Sequence, residues 1–148
     1  MNETSTTPRA QDKSPSGKTR DTDVHTYLRD YAKALTAGDA NTIAQMWEVP
    51  AYLMSDGGVK AVGARKEIVD FFSGAKDQYT AQGISEAIPQ VQSIEWVTDR
   101  MVITRVRWPY INQSGQEIGE ESSTYTLRRD DKGALKLCAV VMHGAKKR

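Results

Sequence analysis

The second half of the chain sets the strongest limit on what it can fold into. Residues 87–97, 101–111, 117–129 and 135–143 read as four long strands rich in β-branched and aromatic side chains. Short loops built on Thr98-Asp99, residues 112–115 and residues 130–133 separate them. Gaps this short hold no crossover helix, so consecutive strands run antiparallel.

The first half reads differently. Val24, Leu28, Tyr31 and Leu35 fall within about 60° of one another at helical spacing, which makes one apolar helix face. Gly38 follows as a C-terminal cap. Asp39 caps a second, short helix whose buried positions are Ile43, Met46 and Trp47, and Pro50 stops it. Residues 51–55 form a strand candidate, Asp56-Gly57-Gly58 a turn, and residues 59–62 the return strand. Ile68, Phe71, Phe72, Ala75 and Tyr79 then follow an uninterrupted helical pattern up to Gly83, which predicts one helix. Helices followed by long antiparallel strands specify an α+β domain with the helices on one face of the sheet.

Length and composition add bounds. At 148 residues the chain suits one domain with a core of its own. Residues 1–22 are too polar to offset the entropy of ordering and read as a disordered lead-in. The domain is expected over 23–145, with Lys146-Lys147-Arg148 as a basic tail. A net charge of +1 gives no electrostatic case for nucleic acid or an anionic membrane. The sequence has no secretory apolar segment and no membrane-length apolar run, so a cytoplasmic location is expected. The single cysteine, Cys138, sits in an apolar run and reads as a small buried hydrophobe. Two histidines with no close pairing supply no metal-ligand spacing, and no phosphate- or dinucleotide-binding glycine motif is present, so neither metal nor cofactor is expected.

The order of elements resembles the nuclear transport factor 2-like superfamily, with its SnoaL-like and ketosteroid isomerase-like groups. Local strings carry the same resemblance: Ala37-Gly38-Asp39, the segment 62–68 that opens the third helix, and Tyr125-Thr126-Leu127-Arg128-Arg129 before a glycine-bearing turn. It covers about residues 24–144. It implies a cone-shaped, cystatin-like fold, three N-terminal helices on a curved and mainly antiparallel sheet, with a pocket between them. It does not imply a reaction, because the superfamily holds isomerases, dehydratases, cyclases, hydrolases and non-catalytic members.

Strand parity names the residues that would face such a pocket. Ser123, Tyr125 and Leu127 share a face with Glu121, and Leu135, Leu137 and Val141 share one with His143. Val102, Val106, Trp108 and Tyr110 are expected inward, and Arg105 and Arg107 outward, where folds of this kind commonly dimerise. These assignments are all-or-none, because one bulge flips them.

Ketosteroid isomerase supplies the first chemistry to test. Aligned on Ala37-Gly38-Asp39, its helix tyrosine falls on Tyr31 and its carboxylate base on Ser55. Its second acid falls near Tyr125. Two of the three groups are missing, and a serine is no base without an activating partner. Tyr31, Glu121 and His143 remain as catalytic candidates. A Glu121–His143 pair in an apolar cavity would be a base poised near neutrality; the alternative is a histidine bonded at a strand end and a solvated glutamate beside a hairpin. His25 is expected to be exposed. Trp47, Tyr52, Ser55, Trp108, Tyr110, Ser123 and Tyr125 are ligand-binding candidates, an aromatic and hydroxyl set suited to a small apolar molecule held by few hydrogen bonds. Two readings follow. One is a pocket for such a molecule, with or without cofactor-free proton transfer. The other is a dimerisation or accessory domain that uses the outer sheet face through Arg105, Arg107 and Trp96.

Overall fold

The computed structural model describes residues 17–147. Helix α1 (Gly17–Ala37) begins inside the expected lead-in, so residues 17–22 are helical, and residues 1–16 lie outside the described part. Trp96 explains the longer helix. Its indole donates to Asp21 Oδ1 at 3.1 Å. The guanidinium carbons of Arg20 and Arg129 lie 5.0 and 5.1 Å from its ring, and Arg129 also donates to Asp23 at 3.0 Å. The charged start of α1 is thus clamped by cation–π contacts and ion pairs rather than left in water. Trp96 packs against the helix and is not on the outer sheet face.

At the other end of α1, Gly38 takes φ +70°. Gly38 N donates to Leu35 O at 3.1 Å and Asp39 N to Ala34 O at 2.9 Å, the paired bonds of a left-handed helix terminus. Asp39 then caps α2 (Ala40–Gln45) by accepting from Thr42 N at 3.1 Å. The second helix is shorter than its apolar pattern. Trp47 already belongs to strand β1 (Trp47–Ser55), and Pro50 lies within that strand, at a shift in the pairing of β1 with the last strand. A proline cannot donate to the ladder, so it is tolerated where pairing lapses.

Strand β2 (Gly58–Val62) closes the hairpin. The expected third helix is two: α3 (Arg65–Phe72) and α4 (Ala75–Ala81). Glu67 accepts from the amides of Gly63 and Ala64, each at 3.0 Å, to start α3. Ser73 turns its hydroxyl back to Asp70 O at 3.0 Å, and Gly74 precedes α4. Apolar periodicity passes through this break because both segments face the same space. The expected strand over 87–97 is likewise split by Pro89 into β3 (Glu86–Ala87) and β4 (Gln90–Trp96).

Strands β5 (Met101–Ile111), β6 (Glu117–Arg129) and β7 (Leu135–Lys147) complete the sheet. Its order is β2-β1-β7-β6-β5-β3, and β4 also pairs with β5. The β1–β7 pair is parallel and the others are antiparallel. Lys146 and Lys147 continue β7 rather than forming a separate tail; Arg148 lies outside the described residues. The inner face buries Val102, Val106, Leu127 and Leu137 against Val24 and Leu28 of α1 and Ile43 of α2. No helix of the described residues is long and apolar enough to cross a membrane.

Two bulges interrupt β7. Thr126 pairs with Ala139 but Leu127 with Leu137, so Cys138 is one residue too many. Ser122 pairs with Gly144 but Ser123 with Met142, which leaves His143 as the second extra residue. Each insertion reverses which side chains face inward. Leu135 and Leu137 are buried, but beyond Cys138 it is Val140 that is buried, while Val141 is 39% exposed.

Candidate functional site

Between the helices and the inner face of the sheet lies a cavity of about 480 Å³. Leu35 and Tyr31 of α1, Phe71 and Phe72 of α3, and Tyr79 of α4 bound it on the helical side; Trp108, Tyr110, Glu121, Ser123, Tyr125 and Met142 bound it on the sheet side. The sheet residues converge by register. Trp108 stands opposite Glu121, Thr104 opposite Tyr125, and Val106 opposite Ser123. Alternation along β5 and β6 therefore delivers Trp108, Tyr110, Glu121, Ser123 and Tyr125 to one side.

Two indole–phenol pairs line the interior. Trp108 Nε1 donates to Tyr125 Oη at 2.9 Å, and Trp47 Nε1 donates to Tyr31 Oη at 3.1 Å. An indole has only a proton to give, so each phenol oxygen is occupied as an acceptor and its own O–H is turned to donate elsewhere. The rings of Tyr31 and Trp108 lie 6.4 Å apart, and Phe72 meets Tyr31 edge-on at 6.4 Å.

Glu121 is the one carboxylate in this lining. Tyr79 Oη donates to its Oε1 at 3.4 Å, and the rings of Tyr79 and Tyr110 pack with centroids 5.9 Å apart. Burial pushes the Glu121 carboxyl above its usual range, and hydrogen bonds from Tyr110 and Tyr79 only partly oppose it. The phenols respond in kind. Burial first, and then the nearby Glu121 charge, raises Tyr79 and Tyr110. Burial likewise raises Tyr125 and Tyr31. All four therefore stay protonated donors at neutral pH, around a carboxylate whose proton is easier to keep than an ordinary glutamate's.

The other residues singled out from the sequence lie elsewhere. Trp47 is buried behind Tyr31 and does not line the cavity. Tyr52 is 48% exposed on the outer face. Ser55 sits at the β1–β2 turn, its Oγ accepting from Gly57 N at 3.1 Å. His143, expected inward beside Glu121, is exposed on the outer face because the bulge at Cys138 reverses its side, and its Nε2 lies 2.8 Å from Thr124 Oγ1. No Glu121–His143 pair forms. Arg105 and Arg107 lie on the outer face; Arg107 is engaged by Glu117, by Glu120 at 2.8 Å and by Gln90 at 2.9 Å. Sequence reasoning missed Tyr79, Phe71, Phe72 and Met142 as cavity residues. The first three were visible only as an apolar helix face, and Met142 required knowledge of the bulges. Among the described residues, no three His, Cys, Asp or Glu side chains converge to hold a metal ion.

The family described as NTF2-like protein (DUF6841) matches residues 20–145. No curated protein matches the chain. Among solved structures, it is similar to a domain of unknown function with a cystatin-like fold from Nostoc punctiforme, with a TM-score of 0.68 at 17% identity over 86% of this chain and 78% of that one. An NTF-2 like protein of unknown function from Shewanella oneidensis gives 0.65 at 15% identity, covering 84% of this chain and 99% of its own. A ketosteroid isomerase-like protein from Erwinia carotovora gives 0.61 at 12% identity, covering 84% of this chain and 94% of its own. Likeness at these identities establishes the fold alone.

Proposed function

The chain belongs to the NTF2-like proteins of DUF6841, and from that premise we propose that its cavity binds a small, mostly apolar carbonyl or phenolic compound and moves a proton on it through Glu121. The observation that carries this reading is a carboxylate enclosed among aromatic walls, whose hydrogen-bond partners are the phenols of Tyr79 and Tyr110. The cavity volume of about 480 Å³ falls within the ordinary range for small-molecule sites.

The chemistry follows from the donors. Glu121 takes a proton from a carbon next to the carbonyl, and the electron pair moves into the carbonyl oxygen to give an enolate. Tyr31 and Tyr125 donate to that oxygen as its charge grows. Glu121 then returns the proton at another carbon, which isomerises the compound, or the enolate expels a leaving group, which makes the reaction a lyase step. A raised carboxyl pKa improves both the basicity of the anion and its capacity to hold the proton between steps. The reading requires no cofactor.

Incubation with small aryl ketones such as acetophenone in D₂O, followed by NMR of the α-protons, tests the idea. Deuterium incorporation above the buffer rate is expected, with a loss of about 10²- to 10⁴-fold in Glu121→Gln. Equal exchange in the variant would remove Glu121 from the chemistry, and ketones that neither exchange nor shift the melting temperature would remove the pocket reading.

A second reading, homodimerisation through the outer sheet face, rests on its exposed apolar stripe. Tyr52 and Val141 are 48% and 39% exposed, and register pairs Val141 with Met54 and Thr124 and sets Tyr52 in one row with Ala139, Thr126 and Ile103. The two readings use opposite faces of one sheet and are compatible.

A further inference from the structure

Behind α4 lies a second recess, of about 630 Å³, between the end of α1, residues 83–85 and the β5–β6 turn. Tyr79 belongs to the walls of both this recess and the inner cavity. The two spaces differ in character. The inner one is walled by aromatics around Glu121. The outer one is lined by Thr36, Thr80, Ser85, Asn112 and Ser114 with Lys76 as its cation, and no carboxylate is among its lining residues.

Lys76 is held where it can serve that recess. A Cβ at Gly38 would meet Lys76 Cβ at 2.9 Å and Cδ at 3.1 Å, so the lysine stem lies against the bare glycine at the α1–α2 turn. None of the ion pairs among the described residues uses Lys76. Asn112 is consumed by its own turn, accepting from Ser114 N at 3.0 Å and Gln116 N at 2.9 Å. The partition is light: the Tyr79–Glu121 bond is long at 3.4 Å, and α4 has no buried residue anchoring it. Tyr79 is the one residue shared by the two linings.

We propose that the ligand has two parts: an apolar carbonyl-bearing body in the inner cavity and a carboxylate-terminated arm that passes Tyr79 and ends at Lys76. This deepens the pocket reading above and rests on it. Two charges of opposite sign fix the ligand's direction. An ionised Glu121 repels an acid from the inner chamber, and Lys76 attracts it to the outer one. The reactive carbonyl is thereby presented to Glu121, and the acid end, which would otherwise compete for the same donors, is held outside.

The test compares 3-benzoylpropionate with its methyl ester and with acetophenone, by calorimetric titration at fixed ionic strength. In the unmodified protein the acid is expected to bind about fivefold more tightly than its ester, the scale of a partly solvated ion pair. Lys76→Met keeps the stem against Gly38 and is expected to abolish that preference, and Lys76→Glu to reverse it. The ester and acetophenone are expected to bind all three proteins alike. An acid preference that survives in Lys76→Met, or is absent from the unmodified protein while acetophenone binds, overturns the two-part ligand and leaves the cavity reading intact. Failure of acetophenone and the ester to bind any of the three proteins overturns the cavity reading and this inference with it.

Discussion

Ionising Glu121 comes at the expense of the folded state. Its carboxyl is pushed above the usual range by burial, so between the unfolded and folded pKa values the folded chain binds more protons. Stability therefore falls as pH rises through that window. The favourable contribution is fully present below the unfolded value of about 4.3 and is lost as pH passes the folded value. Glu121→Gln keeps an acceptor for Tyr79 and Tyr110 but carries no charge. It is expected to raise the melting temperature at pH 7, with the gain vanishing below about pH 4. A gain that persists at acid pH would show that charge burial is not its source. At this scale the sequence was partly legible: strand alternation placed Trp108, Tyr110, Glu121, Ser123 and Tyr125 on one side, and helix spacing placed Tyr31 opposite them. Tyr79 was not legible as a partner of Glu121, because no local pattern links residues that far apart. His143 was misplaced because a bulge leaves no mark in composition.

Elements were legible wherever their ends carry local chemistry. Gly38 and Asp39 mark the α1–α2 junction, and the β5–β6 and β6–β7 turns are short and polar. The breaks within patterns were harder to see. A helix interrupted at Ser73-Gly74 keeps its apolar face, and so does a strand interrupted at Pro89. The start of α1 was hidden for a different reason. Its charged first turns are held by a tryptophan contributed from β4, so helix propensity alone gives no warning of it. Trp96→Ala removes two cation–π contacts and the bond to Asp21, and is expected to cost about 2 kcal/mol. Hydrogen exchange should show residues 17–23 losing protection while β5–β7 keep theirs. Unchanged protection at the start of α1 would mean that the helix holds there without the clamp.

Across the whole molecule, the two faces of the sheet have different work. The inner face encloses the cavity, and the outer one presents Tyr52, Met54 and Val141. If the outer face pairs two copies of the chain, light scattering of the protein gives twice the chain mass, and Val141→Glu halves it without altering ligand-induced thermal shifts. A monomer at micromolar concentration removes that reading. The antiparallel run β4-β5-β6-β7 could be foreseen because each pairing joins neighbours in sequence. The parallel pairing of β1 with β7 could not, since nothing local brings Trp47 to Leu137 or Leu53 to Val140. That pairing also orders events in time. During synthesis the β1–β2 hairpin emerges with one long edge uncovered, and its partner is made only after α3, α4 and strands β3 to β6. Until β7 arrives the edge can be capped by whatever extended chain is near, another nascent copy included. Closing so distant a contact is slow, so the yield of native protein in a crowded cell depends on how long that edge is shielded.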